Sequence, residues 1–139
     1  MSYLKAELSG KNRWHLSKHR TLELKHYCLQ YPEWKMEYKK IQIAMDGAAS
    51  LAQIPVIHEP VDITGELGIR LAEYSLAIER IERIARESDE YISRYILLAV
   101  TEEIMYPKLK AVYDIPCGCD MFYDRYRKFF WLLDKERGI

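Results

Sequence analysis

The spacing of apolar residues between positions 67 and 85 narrows the fold more than any other feature of the chain. Leu67, Leu71, Tyr74, Ile78, Ile81 and Ala85 follow one another at intervals of 4, 3, 4, 3 and 4. Side chains return to one face of an α-helix about every 3.6 residues, whereas a strand alternates every two, so only a helix gathers these residues into one seam. Glu66, Glu73, Glu79, Arg80, Glu82, Arg83 and Arg86 occupy its other faces. The seam lasts about two and a half heptads, too short for a long isolated coiled coil. Leu67, Leu71, Tyr74, Ile78 and Ile81 are therefore either a core seam against the C-terminal helices or a seam between two copies.

Helical signals continue on both sides. Residues 16–31 carry Leu16, His19, Leu22, Tyr27 and Leu29 among lysines, with Ser17 as a cap and Pro32 near the boundary. Pro32 suits a first helical turn, after which Trp34, Tyr38 and Ile41 recur at helical spacing. Beyond the seam, "ESDE" ends one helix and offers Ser88 or Asp89 as a cap for the next, over residues 90–103. A brief helix follows over "PKLKAVYD", then the Pro116–Gly118 corner, then a last helix from Cys119 or Asp120 to Lys135. The apolar residues of that last helix, Phe122, Tyr126, Phe129 and Leu133, are spaced 4, 3 and 4.

Helix is poorly supported only in "DGAASLAQIPVIHEPVDITGELG", which holds three glycines and two prolines. The expected organisation is all-α, with basic N-terminal helices over residues 1–45 and a Pro/Gly-broken linker over 46–65. A long amphipathic helix with a C-terminal helix-turn-helix then fills 66–139.

The 21 basic and 21 acidic residues cancel in sum but not in place. Residues 1–40 hold nine Lys/Arg against four Asp/Glu, residues 41–105 five against twelve, and residues 106–139 seven against five. Two basic ends flank an acidic middle, a pattern of polyanion-binding or partner-binding surfaces. No apolar run reaches the roughly 18 residues of a membrane span. The first ten residues include Lys5 and Glu7 where a secretory leader keeps an apolar block, and three cysteines suit no disulfide framework. A soluble cytosolic protein is expected.

A short helix, a Gly-containing turn and a longer basic helix make up a helix-turn-helix, whose second helix enters the DNA major groove. The segment "YPKLKAVYDIPCGCDMFYDRYRKFFWLL" also resembles the fourth region of sigma factors, with "FYDRYRKF" matching its apolar and basic alternation. The turn is about one residue longer than the sigma-like one, and leaves Cys117 or Cys119 as its capping residue, with Asp120 able to share that role. An early "LQYPEWKMEYKK", a broken linker, a charged amphipathic helix and the sigma-like unit occur in that order over residues 22–135. In that order the chain is similar to the RinA/ArpU-type phage transcriptional regulators. That resemblance implies a DNA-binding activator of late, packaging or lysis genes, acting in the cytoplasm of a bacterial host with RNA polymerase as protein partner.

On a helical wheel of the last helix, Asp120, Asp124, Arg127, Lys128 and Trp131 lie opposite the apolar face, with Tyr123 on its flank. Tyr123, Asp124, Arg127 and Lys128 are the expected base-facing residues, since Arg and Lys suit guanine and a carboxylate accepts from cytosine. Lys108, Lys110 and Arg125 suit phosphates, which position a protein without specifying sequence. The alternative for all of them is a solvated charged face. The basic N-terminal segment with Lys11, Arg13, Lys18 and Arg20 is either an accessory arm on DNA phosphates or a solvated segment in which Trp14 packs.

His15 and His19 stand four apart, and Cys117 with Cys119 could complete a four-ligand set. Cys-x-Cys lacks the two-residue gap of zinc knuckles and of working dithiols, and no Glu follows His15 as in HExxH, so no metal, redox pair or cofactor is expected. Enzyme readings lack a phosphate loop or nucleophile elbow, and the neighbouring carboxylates at 89–90 and 102–103 diverge on a helix.

Three functions stay open: a sequence-specific DNA-binding regulator, a small DNA-packaging subunit assembled into rings, and a protein-binding inhibitor whose acidic middle mimics nucleic acid. Oligomeric state separates the first two.

Overall fold

The computed structural model describes residues 12–51 and 63–139, and every described element is helical. The helices are α1 (Lys18–Leu29), α2 (Tyr31–Leu51), α3 (Ile63–Ser88), α4 (Ser93–Glu102), α5 (Tyr106–Ala111) and α6 (Cys119–Arg137). Among the described residues no helix is long and apolar enough to cross a membrane. Lys11 and the centre of the expected linker lie outside the described residues.

The chain divides into two compact units, one built from its two ends with residues 80–139, the other from Tyr31–Glu79. In the first unit α1, α4 and α6 pack on one another, and the last turns of α3 join them. Its core holds Leu24, Ile81, Ile84, Ile92, Ile96, Leu109, Ile115, Phe122, Tyr126, Phe129 and Leu133, all essentially without solvent contact. Each such side chain stabilises the fold by roughly 1.5–3 kcal/mol relative to exposure. Among the described residues, three Ser/Thr hydroxyls are buried with it. Thr21, Ser88 and Thr101 donate to the carbonyls of Ser17, Ile84 and Leu97 one turn earlier, at 2.9, 2.8 and 2.6 Å, which satisfies each without a distant partner.

In the second unit, Trp34, Tyr38, Ile41 and Met45 form the less exposed stripe of α2, with Ile41 buried. The corresponding stripe of α3 is the heptad seam itself. Leu67, Leu71, Tyr74 and Ile78 are half-buried, and the seam continues into the first unit through the buried Ile81 and Ala85.

Several boundaries differ from the sequence expectation. Ser17 does cap α1, its hydroxyl accepting from the Arg20 amide at 3.3 Å. Helix α2 runs through Gly47 to Leu51 and α3 starts at Ile63, so helix takes both ends of the region expected as linker. A single glycine costs a helix about 1 kcal/mol, which is too little to stop one twenty-one residues long. Helix α4 starts at Ser93, later than expected, because Asp89 accepts from the Tyr91 and Ile92 amides and shapes a turn there first. Neither cysteine caps α6. The cap position is Gly118, in extended backbone and with no side-chain bond, and Cys119 is the exposed first helical residue.

Candidate nucleic-acid interface

The corner between α5 and α6 is built from its apolar side outward. Pro107 sits in the first turn of α5, where its missing N–H is of no consequence. Leu109, Ile115 and Phe122 are buried, and the Ile115 amide donates to the Leu109 carbonyl at 3.1 Å. The Tyr106 ring lies 5.8 Å from that of Phe122, and its hydroxyl donates to the Cys117 carbonyl at 2.9 Å. One aromatic residue thus ties the start of α5 to the turn and to α6. The connection, residues 112–118, is longer than the ~3–4-residue turn of a helix-turn-helix.

Lys108 and Lys110 flank the buried Leu109 and are both exposed, although the Lys110 Nζ also reaches the Ile115 carbonyl at 3.4 Å. These two retain the exposure that phosphate contact requires. Arg125, expected to join them, is committed elsewhere. Its Nε donates to Asp89 at 3.0 Å and its guanidinium also pairs with Asp124. The bond to Asp89 is the main cause that pushes the Arg125 pKa up. Arg125 ties α6 to the turn before α4.

The four residues expected to face bases have a different setting. Tyr123 is only 8% exposed and packs edge-on against Phe122 and Tyr126, at 5.1 and 6.3 Å between ring centroids. The placement of Tyr123 on a groove-facing flank is therefore corrected. Because α6 packs against both α1 and α4, its buried arc widens to include Tyr123 and Phe130 beside the expected four residues. Asp124 accepts from the Trp14 indole at 3.2 Å and from Arg13 at 3.4 Å. Lys128 is half-buried, with its Nζ 5.6 Å from the Trp14 ring centroid, and Arg127 is half-buried with its Nε out of solvent. Trp131 meets Trp14 edge-to-face at 4.9 Å.

The segment before α1 thus lies on the face of α6 that was expected to enter a groove. Of the basic arm, Arg13 stacks on Trp14 at 4.6 Å while it bonds Asp124, and Lys18 is exposed at the start of α1. Arg20 bonds Asp134 at 2.6 Å, Glu23 at 2.8 Å and the Gly138 carbonyl, so it joins α1 to the end of α6 rather than waiting for phosphate. The packing role of Trp14 was one of the two sequence readings. Its partner Asp124 had no local signal, and neither had the pairing of Asp89 with Arg125.

His15, His19 and Cys119 are exposed and Cys117 is half-buried. Burial, followed by the charge of Asp89, pushes the Cys117 thiol up. Among the described residues no group of three or more His, Cys, Asp or Glu converges as a metal site would.

Comparison with known protein families, with curated proteins and with solved structures finds no match to the chain.

Proposed function

We propose that the chain is a DNA-binding transcriptional regulator of phage or prophage type that presents its α5–α6 corner to double-stranded DNA. The observation that carries this reading is the corner itself. Its inner side is fixed by Leu109, Ile115 and Phe122, and Lys108 and Lys110 project from the other side. Exposed cations beside a packed corner suit the phosphate backbone, which supplies most of the affinity of such proteins. Lys128, beside the Trp14 ring, and Arg127, both half-buried, can add charge only from the part of α6 that the Trp14 segment leaves open. Tyr123, being buried, takes no part. The resemblance of "LQYPEWKMEYKK" and the sigma-like segment to RinA/ArpU-type regulators supports an activator of late genes that works with host RNA polymerase in the bacterial cytoplasm.

The test is in-vitro selection of bound DNA with the full chain, followed by Lys108→Ala and Lys110→Ala on the selected sequence. Each substitution should weaken binding at all sequences alike and lower the salt slope by about 1. Arg127→Ala and Lys128→Ala should weaken it without unfolding the protein. Selection that enriches no sequence, or binding indifferent to salt, would sink the reading.

A further inference from the structure

Helices α2 and α3 each carry a second apolar stripe that faces solvent. On α2 it is Met36 and Ile43, 60% and 63% exposed, and on α3 it is Ile69 and Leu76, 64% and 67% exposed. Both pairs are seven residues apart, the interval that brings a side chain back to the same helix face after two turns. At 100° per residue, each pair lies roughly 180° around its helix from the less exposed stripe that contains Ile41 or Tyr74. These four residues are therefore outside the packing that their own unit provides.

Their surroundings differ in charge. Lys39 and Lys40, both exposed, stand between Met36 and Ile43, with Lys40 also 3.2 Å from Glu37, while Lys35 and the exposed carboxylates of Glu33 and Asp46 lie toward the edges of the face. Between and beside Ile69 and Leu76 stand Glu66 and Glu73, both exposed, with Arg70 nearer the edge of the face. With the apolar pairs set side by side, Lys39 and Lys40 come opposite Glu73 whether the two helices run parallel or antiparallel. One face has two lysines between its apolar residues, and the other has a glutamate between apolar residues of the same spacing.

We infer that the outer face of α2 docks on the outer face of α3 of a second copy of this chain. The occupant is a second copy because the chain itself carries both halves of the match, in apolar spacing and in charge. Opposite charges across such a contact select the partner and set its register, while the apolar residues supply the attraction. A contact between two different patches is heterologous, and repeated from copy to copy it closes a ring or extends as a filament. The seam of Leu67, Leu71, Tyr74 and Ile78 is not part of this surface. The inference is independent of whether the chain binds DNA.

Light scattering and sedimentation of the full chain over a concentration series test it, with circular dichroism to check helicity. The wild-type chain should self-associate. Lys39→Glu with Lys40→Glu, and separately Glu73→Lys, should each weaken association by about 100-fold, because like charges then face each other. Each variant alone should be monomeric, and mixing the two should restore assembly, since each then offers the face the other lacks. Leu76→Ser, at an exposed position that folding does not require, should give the same loss without charge reversal. A wild-type chain that stays monomeric at every concentration overturns the inference. So does an oligomer that neither reversal disturbs, or a mixture of the two variants that fails to assemble.

Discussion

The Trp14 indole N–H donates to the Asp124 carboxylate at 3.2 Å, across 110 positions of sequence. The contact carries more than one hydrogen bond, because the same indole stacks under Arg13, lies near Lys128 and meets Trp131 edge-on. Trp14→Phe retains a ring and loses the N–H, and should destabilise the fold by about 1 kcal/mol. Trp14→Ala removes the ring as well and should cost about 2–3 kcal/mol, below the value for a core tryptophan because the residue is only half-buried. Urea unfolding of the two variants beside wild type measures both. Equal losses would mean that the aromatic contacts contribute nothing.

Arg20 has a comparable role at the other end of α6. Its guanidinium is largely buried and bonds two carboxylates and the main-chain carbonyls of Asp134 and Gly138. Arg20→Ala leaves Asp134 without its cation and should cost about 2–3 kcal/mol. Arg20→Lys should recover less than half of that, since an ammonium cannot span a carboxylate and two carbonyls as a planar fork does. Thermal unfolding of the pair checks this. A lysine variant as stable as wild type would show that the charge, rather than the fork, holds the helix end.

How far the sequence discloses this molecule depends on the range of each interaction. The heptad seam, the Ser17 cap and the buried set Phe122, Tyr126, Phe129 and Leu133 follow from spacing within one helix, and all of them stand in the structure. Tyr123 did not follow, because a wheel ranks residues by angle and cannot tell how many neighbours a helix has. With α1 and α4 both against α6, the buried arc grows past the four residues that the spacing marks. Arg125 and Asp124 carry charges that spacing alone places at a surface, yet Asp89 and Trp14 come to them from distant parts of the chain. Such partners depend on tertiary approach and have no local periodicity. Ile69 and Leu76 show the converse. They sit on a helix whose seam was legible and opposite that seam on the wheel, but only the fold shows that nothing in their own unit covers them.

The three cysteines should separate by reactivity. Burial pushes the Cys28 thiol far above the ordinary range, against a smaller opposite influence from Arg137. Native protein should therefore be alkylated at the exposed Cys119 first, and at Cys28 only on unfolding. Because the folded state holds the Cys28 proton more tightly than the unfolded chain, its neutral thiol favours folding fully below the unfolded pKa of roughly 8.5. Above that pH this contribution falls by about 1.4 kcal/mol per pH unit, until the folded thiol itself ionises. The difference in unfolding free energy between wild type and Cys28→Ala should shrink accordingly between pH 8.5 and 10, both rough bounds. A difference constant over that window would mean that Cys28 is not held neutral by burial.

Two residues other than glycine adopt left-handed backbone, Glu103 with φ 55° at the end of α4 and Asp114 with φ 53° in the corner before α6. Their φ values are nearly equal, and their side chains differ in length. An aspartate carboxylate reaches its neighbouring backbone amides and tolerates this conformation, whereas the longer glutamate gains no such contact. Glu103→Gly relieves the Cβ clash and should stabilise the protein by about 0.5–1 kcal/mol, the left-handed relief being partly offset by the greater entropy of glycine in the unfolded chain. For Asp114→Gly the two effects should nearly cancel, and the change should stay within about 0.5 kcal/mol. Denaturant midpoints of the two variants, read at unchanged slope, decide between these outcomes. A Glu103→Gly variant less stable than wild type would mean that this carboxylate makes a contact worth more than its strained backbone costs.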